Sequence, residues 1–356
     1  MKIKKFNIIG VMSGTSCDGL DIAYCSYWEN NGSWNYKLKN KSFAAYNSIM
    51  RDKLLKSSKL SSYNLKKLDN ELGELISESI LNFIKQNSIK PSLICSHGHT
   101  VLHNPKEKIT LQIGNPLIIS AKTKMKVISN FRELDVLSGG QGAPLVPYGD
   151  KKLFSEYDYC INIGGIVNIS NLKSKKLIAY DVCPANIILN KYSRAMGLEY
   201  DEDGIIASKG NKSNSLFTRL NEISYYSQYG PKSLDINLIE NKFIPILKGY
   251  SNEDILCTTT HHIAYQINKS IISKKSHVLL TGGGVFNKFL LKKIRSYNKQ
   301  DHNFFVPNSD IISFKEAIIF GYLGLLRYLK YKNIAKSVTG SRYSSSSGII
   351  VESKLF

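Results

Sequence analysis

Two apolar runs flank a polar, glycine-containing turn close to the N-terminus. Residues 6–12 precede this turn and residues 20–27 follow it, with Ser13 to Gly19 between them. Two short β-prone runs joined in this way predict a β-hairpin. Glycines let a ligand approach the backbone closely, and successive backbone N–H groups form a concave site for an anion. The stretch therefore predicts either a phosphate-binding hairpin or an ordinary turn of glycine, serine and aspartate.

An aspartate inside this turn restricts the kind of phosphate site that it can form. Asp18 would repel a bare phosphate, but it fits a site in which a hydrated Mg²⁺ lies between the carboxylate and the phosphates. No Gly-Lys-Ser/Thr follows, so the turn is not a Walker motif. We therefore expect any metal contact of Asp18 to pass through water.

The composition indicates a soluble globular protein. A length of 356 residues predicts about two domains with an ample core, and 42% of the residues are hydrophobic. No apolar run reaches the roughly 20 residues of a membrane span. The N-terminus lacks the apolar core and cleavage site of a signal peptide. Six cysteines without a CxxC pair predict reduced thiols and a cytoplasmic location.

The formal net charge of +20 raises the alternative of a nucleic-acid or membrane-binding protein. However, the lysines are spread along the whole chain, and no long basic block is interleaved with aromatic residues. This distribution favours a solvated lysine-rich surface. We therefore expect no nucleic acid and no membrane among the partners.

Several later segments carry polar residues at predicted strand ends. Apolar spacing predicts a helix over residues 65–86 and strands over residues 34–46 and 91–95. The last strand ends at a histidine-rich segment, residues 96–103, where the histidines favour a substrate or local hydrogen bonds over a metal. Open α/β sheets place ligands at such strand ends.

A second polar region follows the strand predicted over residues 127–131. Arg132 and Asp135 either form a surface ion pair or leave Arg132 free to bind an anionic group. Three glycines within residues 139–142 demand special backbone geometry.

The second half of the chain repeats the pattern of the first. Strands predicted over residues 159–163, 166–169 and 177–180 lead to Asp181, which precedes a helix. Asp181 is either a helix N-cap or a general base. A further strand ends at Gly282, Gly283 and Gly284, a turn that suits the adenosine or phosphates of a nucleotide. Each half thus has strands, a glycine-containing turn and helices, so the second half repeats the pattern of the first once.

Together these motifs resemble, in order and over essentially the whole chain, those of the anhydro-N-acetylmuramic acid kinase family. The matching segments are Gly10-Val-Met-Ser-Gly-Thr-Ser-Cys-Asp-Gly-Leu-Asp21, Ser96-His-Gly-His-Thr-Val-Leu-His103, Leu111-Gln-Ile-Gly114, Asn130-Phe-Arg132, Gly139-Gly-Gln-Gly-Ala-Pro-Leu145, Asn162-Ile-Gly-Gly-Ile-Val-Asn168, Tyr180-Asp181, Gly282-Gly-Gly284, Phe314-Lys-Glu-Ala317 and Ser337-Val-Thr-Gly340. The segments Gly10–Asp21 and Gly139–Leu145 are highly specific to this family. One departure follows the aspartate, where the family's Thr-Gly-Pro-Gly-Asn is replaced by Val182-Cys-Pro-Ala-Asn186.

The resemblance implies an α/β fold with two actin-like or sugar-kinase-like lobes, each built on a mixed, ribonuclease H-like sheet, with an ATP cleft between them. We expect an N-terminal lobe of residues 1–126 plus about 333–356 and a C-terminal lobe of residues 127–332. It also implies that water opens 1,6-anhydro-N-acetylmuramic acid, a small-molecule sugar, and that ATP and Mg²⁺ serve to phosphorylate its 6-oxygen. The product would be N-acetylmuramic acid 6-phosphate, in cell-wall recycling by a cytoplasmic homodimer.

The resemblance assigns roles to individual residues. Asp181 would be the catalytic base. Arg132 would bind the substrate's lactyl carboxylate or nearby oxygens, and His97 and Glu316 are further substrate-binding candidates. The residues expected to contact ATP or its phosphates are Gly14, Thr15, Ser16, Cys17, Asp18, Gly19, Leu20, Asp21, Gly282, Gly283 and Gly284. The alternatives are a related kinase for another sugar and a catalytically inactive basic binding protein.

Overall fold

A computed structural model describes residues 4–14, 16–228 and 232–352. Its strands are β1 (Lys5–Ser13), β2 (Gly19–Asn30), β3 (Ser33–Ala45), β4 (Leu93–Ser96), β5 (His99–Asn104), β6 (Ile109–Ile113), β7 (Val127–Ser129), β8 (Tyr159–Ile163), β9 (Ile166–Asn171), β10 (Ile178–Pro184), β11 (His277–Thr281), β12 (Asn303–Phe305) and β13 (Ile349–Val351).

Helices connect or cover these strands. They are α1 (Ser48–Leu55), α2 (Ser62–Asn87), α3 (Pro116–Thr123), α4 (Glu133–Leu137), α5 (Val146–Leu153), α6 (Asn186–Arg194), α7 (Ile205–Lys209), α8 (Asn214–Asn221), α9 (Ile236–Leu238), α10 (Ile244–Leu247), α11 (Asn252–Ser270), α12 (Lys288–Ser296), α13 (Ser309–Tyr328) and α14 (Lys336–Thr339). Within the described ranges, no helix is long and apolar enough to cross a membrane.

The chain divides into two compact units, residues 1–153 with 313–356 and residues 154–312. These bounds differ from the predicted ones, which were 126/127 and 332/333. The first reason is that β7 pairs with β4, so residues beyond 126 complete the sheet of the first unit. The second is that α13 packs tightly against β1: a Cβ added to Gly10 would lie 1.9 Å from the carbonyl oxygen of Ala317.

The first unit contains a mixed sheet in the order β13-β7-β4-β1-β2-β3. The strands β1, β2 and β3 are antiparallel neighbours, whereas β4 runs parallel to β1 and β7 runs parallel to β4. This confirms the predicted hairpin and third strand. The strands β5 and β6 form a separate two-stranded sheet, which was not expected.

The second unit repeats this arrangement in a sheet of order β10-β9-β8-β11-β12. Its first three strands are again antiparallel, and β11 and β12 again follow in parallel. The pattern that the two halves of the sequence share therefore corresponds to a repeated sheet topology. Each unit has the mixed α/β sheet expected of a ribonuclease H-like lobe, which confirms the predicted fold class.

Helix α2 shows how the sequence pattern generates the core of the first unit. Ser61 caps its N-terminus by accepting from the backbone N–H of Asn64. Leu68, Leu72, Ile76 and Ile80, each four residues after the last, are almost fully buried. Burial of each such side chain contributes about 1.5–3 kcal/mol. Leu81, one position beyond Ile80, lies off this buried face and is 39% exposed.

Candidate active site

The turn between β1 and β2 has the predicted hairpin geometry. Ser13 pairs with Leu20 across it. The backbone N–H of Cys17 donates to the carbonyl of Gly14 over 3.3 Å, and Cys17 adopts a positive φ of 53°. The Ser16 hydroxyl donates to Asp18 Oδ1 over 2.7 Å. The predicted phosphate residue Thr15 lies outside the described residues.

Side chains from two other elements hold this turn in place. The Tyr46 hydroxyl donates to Ser13 Oγ over 2.7 Å, and its backbone N–H donates to the Asp18 carbonyl over 2.9 Å. His99 Nδ1 lies 3.4 Å from Ser13 Oγ, and Nε2 lies 3.8 Å from Cys17 Sγ. The turn is therefore anchored from its base, which leaves Ser16 and Asp18 exposed at its tip.

Three of the predicted phosphate residues have structural roles in this hairpin. The side chains of Cys17 and Leu20 are buried in the core. A Cβ on Gly19 would lie 2.5 Å from the carbonyl oxygen of Ala44 and 2.6 Å from the Phe43 ring. A glycine is thus required at position 19 by the neighbouring strand β3. These three residues can therefore contact a ligand only through their backbone atoms.

The charges of two other carboxylates of the first unit act on Asp21. Burial raises the pKa of Asp21 to about 7, and the negative charges of Asp18 and Glu316 add to this rise. Burial also raises the pKa of Glu316, whereas Lys315 and Arg132 oppose this shift. In the described part of the chain, no three acidic, histidine or cysteine residues are arranged to hold a metal directly. A cation here would therefore keep much of its water.

Arg132 is fixed by two hydrogen bonds within the first unit. Its Nε donates to His97 Nε2 over 2.8 Å, and Nη1 donates to the carbonyl of Gly142 over 2.8 Å. Burial lowers the pKa of Arg132 to about 10, so it remains a cation. Burial and the adjacent guanidinium hold the pKa of His97 well below its usual range. The structure therefore brings together two of the three predicted substrate residues, Arg132 and His97, with His97 neutral.

Asp135 has a role that the sequence did not reveal. It is fully buried and is not part of a surface ion pair with Arg132, so that interpretation was wrong. Its carboxylate accepts from the backbone N–H of Gly142 and from the Thr339 hydroxyl, each over 2.8 Å. A Cβ on Gly140 would lie 2.2 Å from this carboxylate. The glycine-rich loop thus wraps around Asp135, which places the Gly142 carbonyl where Arg132 can reach it.

Asp181 lies in the second unit, at a bulge of β10. Its Oδ2 accepts from the backbone N–H of Leu234 over 2.9 Å. The backbone of Asp181 is held by Lys232 and by the Tyr225 hydroxyl, which donates to its carbonyl over 2.5 Å. Burial raises the pKa of Asp181, and the bond from Leu234 opposes this rise. Asp181 precedes α6 by five residues and does not cap it, which removes the N-cap interpretation.

The unusual segment after Asp181 is tightly packed. Cys183 and Ala185 are fully buried. The backbone N–H of Ala185 donates to the carbonyl of Gly165 over 2.8 Å, and that of Asn186 donates to Gly164 over 3.2 Å. These contacts attach the start of α6 to the turn between β8 and β9. Cys183 and Ala185, which replace the family's two glycines, are therefore part of the hydrophobic core, and Asn186 remains at the start of α6.

The second glycine turn borders a pocket of about 420 Å³ within the second unit. Gly282 has a φ of 84°, and a Cβ there would lie 2.7 Å from Asn162 Oδ1. A Cβ on Gly284 would lie 2.3 Å from the Ile163 side chain, whereas one on Gly283 would meet no atom within 4 Å. Gly283 is therefore the member of the turn that opens onto free space. The pocket is also lined by Asn186, Asn190, Tyr200, Glu202 and Phe286.

Comparison with known proteins decides the family. A model of the family described as anhydro-N-acetylmuramic acid kinase matches residues 6–353. The chain belongs to the anhydro-N-acetylmuramic acid kinase family. It is 31% identical to a protein of that name from Bacillus cereus strain AH187, over 95% of this chain and 97% of that protein. It is 32% identical to another of that name from Mannheimia succiniciproducens, over 96% and 98%.

This membership of the anhydro-N-acetylmuramic acid kinase family rests on sequence. Two solved structures show a broader likeness. One is component A of the (R)-2-hydroxyglutaryl-CoA dehydratase of Acidaminococcus fermentans, with a TM-score of 0.41 and 14% identity over 88% of this chain and 95% of that chain. The other is the activator of the 2-hydroxyisocaproyl-CoA dehydratase of Clostridium difficile, with a TM-score of 0.40 and 13% identity over 88% and 92%.

Proposed function

We propose that this protein is an ATP-dependent kinase that opens 1,6-anhydro-N-acetylmuramic acid with water and phosphorylates its 6-oxygen. The family match across residues 6–353 carries this proposal. The products are N-acetylmuramic acid 6-phosphate and ADP. The reaction belongs to cell-wall recycling and amino-sugar breakdown, and we place it in the cytoplasm, with the enzyme acting as a homodimer.

Asp181 is the proposed catalytic base. Water is a poor nucleophile toward the anomeric carbon, so a carboxylate within hydrogen-bond reach has to take its proton. Oδ2 of Asp181 is held by the N–H of Leu234, which supports a fixed orientation. The raised pKa of this half-buried carboxyl makes it a stronger base than an exposed aspartate.

The bond changes balance without a second base. The water oxygen forms a bond to C1 while its proton passes to Asp181, and the bond between C1 and O6 breaks. The released O6 then attacks the γ-phosphate of ATP, and ADP leaves. Since O6 is released as an alkoxide-like oxygen, no further group is needed to deprotonate a sugar hydroxyl.

Arg132 is the proposed partner of the substrate's lactyl carboxylate. Its Nε and one Nη1 hydrogen are used by His97 and Gly142. The guanidinium has five N–H donors, so the remaining ones are available to a carboxylate. The neutral His97 ring positions Arg132 without adding a competing positive charge. Glu316 is proposed to lie near the same substrate.

ATP is proposed to contact both glycine turns. Backbone N–H groups of Ser16 and Asp18 in the first turn suit the phosphates, and the pocket beside Gly283 suits adenosine. The negative charges of Asp18 and Glu316 help to raise the pKa of Asp21, and a bound cation would offset their effect. Mg²⁺ bound there, through water at Asp18, would neutralise phosphate charge during transfer.

A coupled assay of ADP release with the anhydro sugar, ATP and Mg²⁺ tests this function. Wild type is expected to form the 6-phosphate, and in ¹⁸O-enriched water the label is expected at C1 and not in the phosphate. Asp181→Asn keeps an oxygen that can accept from Leu234 but removes the base, so kcat is expected to fall about 10²–10⁴-fold. Asp158→Asn, in the same unit, is the control and should retain activity. Inert wild type would overturn the proposed function, and an active Asp181→Asn would overturn the base assignment.

A further inference from the structure

Asp181 lies on an edge strand, so its backbone needs partners from outside the sheet. In the order β10-β9-β8-β11-β12, β10 has a neighbour on one side only. The sheet leaves backbone N–H and C=O groups on the free side of an edge strand unpaired. The N–H of Asp181 donates to the carbonyl of Lys232 over 3.0 Å, and its carbonyl accepts from the Tyr225 hydroxyl over 2.5 Å. Both backbone groups of Asp181 are therefore satisfied by residues that lie later in the chain.

The same part of the chain also holds the carboxylate of Asp181. The backbone N–H of Leu234 donates to Oδ2 over 2.9 Å. All three contacts thus come from residues 225–228 and 232–234, which we call the support segment. The orientation of the carboxylate depends on where this segment lies.

The side chain of Lys232 ties the two parts of the support segment together. Its Nζ donates to the carbonyl of Tyr225 over 2.9 Å and to that of Gln228 over 3.3 Å. Hydrogen bonds with a charged donor are roughly twice as strong as neutral ones. Nζ also lies 4.3 Å from the centre of the Tyr225 ring, which adds a cation–π attraction. One ammonium group therefore fixes the carbonyl of Lys232 and the hydroxyl of Tyr225 relative to each other.

The first part of the support segment is in turn fixed to helix α11. The Tyr226 hydroxyl lies 2.7 Å from Nε2 of His262, and Nδ1 of His262 lies 2.9 Å from Oδ1 of Asn221. Since Oδ1 can only accept, the ring proton is on Nδ1 and Nε2 accepts from the tyrosine. Burial lowers the pKa of His262 to about 3, so the ring is neutral at physiological pH. Lys232 therefore ties residues 232–234 to a part of the segment that is itself anchored.

We propose that Lys232 is a positioning residue for the catalytic base: its ammonium group holds the support segment so that Asp181 is oriented toward the attacking water. Without this group, residues 232–234 are no longer tied to residues 225–228, and the carboxylate takes up other orientations. A general base acts only within hydrogen-bond reach of the proton that it removes. The chemical step then slows while substrate binding is kept. This inference rests on the proposed function.

Lys232→Met tests this role, because it removes the ammonium group and keeps most of the unbranched apolar stem. We expect kcat for the anhydro sugar to fall about 3- to 30-fold, with KM for the sugar and KM for ATP unchanged. Lys212→Met is the matched control. Lys212 also lies over an aromatic ring of the second unit, with Nζ 4.0 Å from the centre of the Phe217 ring, and the variant should retain full activity.

Repeating the change in the Asp181→Asn background separates a positioning role from a merely structural one. If Lys232 acts through the base, Lys232→Met should lower kcat of wild type and have no further effect on the residual kcat of Asp181→Asn. A loss by the same factor in both backgrounds, or no loss in wild type, would overturn the positioning role and leave the kinase function standing. If Lys232→Met does not fold, Tyr225→Phe decides by the same comparison, since it removes only the hydroxyl that binds the Asp181 carbonyl.

Failure of the proposed function would give a different result. Wild type that does not turn over the anhydro sugar would overturn that function and this inference with it. Full activity of Asp181→Asn would overturn both the base assignment and the positioning role, while the kinase function would stand.

Discussion

Arg132 donates from Nε to Nε2 of His97 over 2.8 Å, and His97 Nδ1 lies 2.8 Å from the carbonyl of Gly98. Since Nε2 accepts from a guanidinium, the ring proton is on Nδ1 and donates to Gly98. The segment directly after β4 thus fixes the orientation of Arg132, the cation that we assign to the substrate carboxylate.

Arg132→Lys tests whether substrate binding needs the planar set of guanidinium N–H donors as well as the positive charge. A lysine cannot bond His97 and Gly142 and still present two parallel donors to a carboxylate. We expect kcat/KM for the anhydro sugar to fall about 10–100-fold, with KM for ATP unchanged. Steady-state kinetics would measure both. Arg194→Lys, an exposed change in the second unit, is the control, and full activity of Arg132→Lys would contradict this assignment.

Asp21 should make the metal-free protein less stable as the pH rises. Its pKa is about 7 when folded and about 3.9 in an unfolded chain, so the folded state binds this proton more tightly. Its stabilising contribution is complete below about pH 4 and is lost as the pH rises through about 7. Melting temperatures in EDTA should therefore fall between pH 5 and pH 8, and fall less for Asp21→Asn. Asp52→Asn, at an exposed ion pair, should follow wild type; identical curves for Asp21→Asn would refute the prediction.

Gly283 and Gly284 should respond differently to a single methyl group. In Gly284→Ala the new Cβ would lie 2.3 Å from Ile163, so we expect the free energy of unfolding to fall by about 1–3 kcal/mol. In Gly283→Ala the methyl would enter open space, so stability should be unchanged while KM for ATP rises. Denaturant unfolding and ATP kinetics distinguish the two effects. An unchanged KM for Gly283→Ala would place the nucleotide elsewhere.

The ion pair between Lys315 and Asp150 is buried, with 3.2 Å between Nζ and Oδ1 and side chains only 5% and 3% exposed. Lys315→Met would leave a buried carboxylate without this partner, and we expect a loss of about 3–5 kcal/mol in the free energy of unfolding. Combining it with Asp150→Leu should restore most of that loss. Denaturant unfolding of Lys315→Met, Asp150→Leu and the double variant measures the coupling between the two side chains. If Lys315→Met were as stable as wild type, the pair would contribute little.

The hairpin of β1 and β2, helix α2 and the second glycine turn were predictable from the sequence because local patterns determine them. The role of Asp135 was not predictable, since its partner Thr339 is 204 residues away. Gly19 was interpreted as a ligand-binding residue, but the carbonyl of Ala44 on β3 requires it. The family resemblance selected residues that matter without distinguishing those that fix the backbone from those that meet a ligand. The unit boundaries depended on strand pairing over long distances, which periodicity does not reveal.

The division of the chain into units also has a consequence for the order of folding. Residues 154–312 form a continuous unit that can assemble as soon as they leave the ribosome. The first unit cannot be completed then, because α13 has not been made, and β1 packs against that helix at Gly10. The N-terminal strands are therefore synthesised first and buried last. During synthesis their apolar surface is exposed for longest, and a chaperone would have most to protect there.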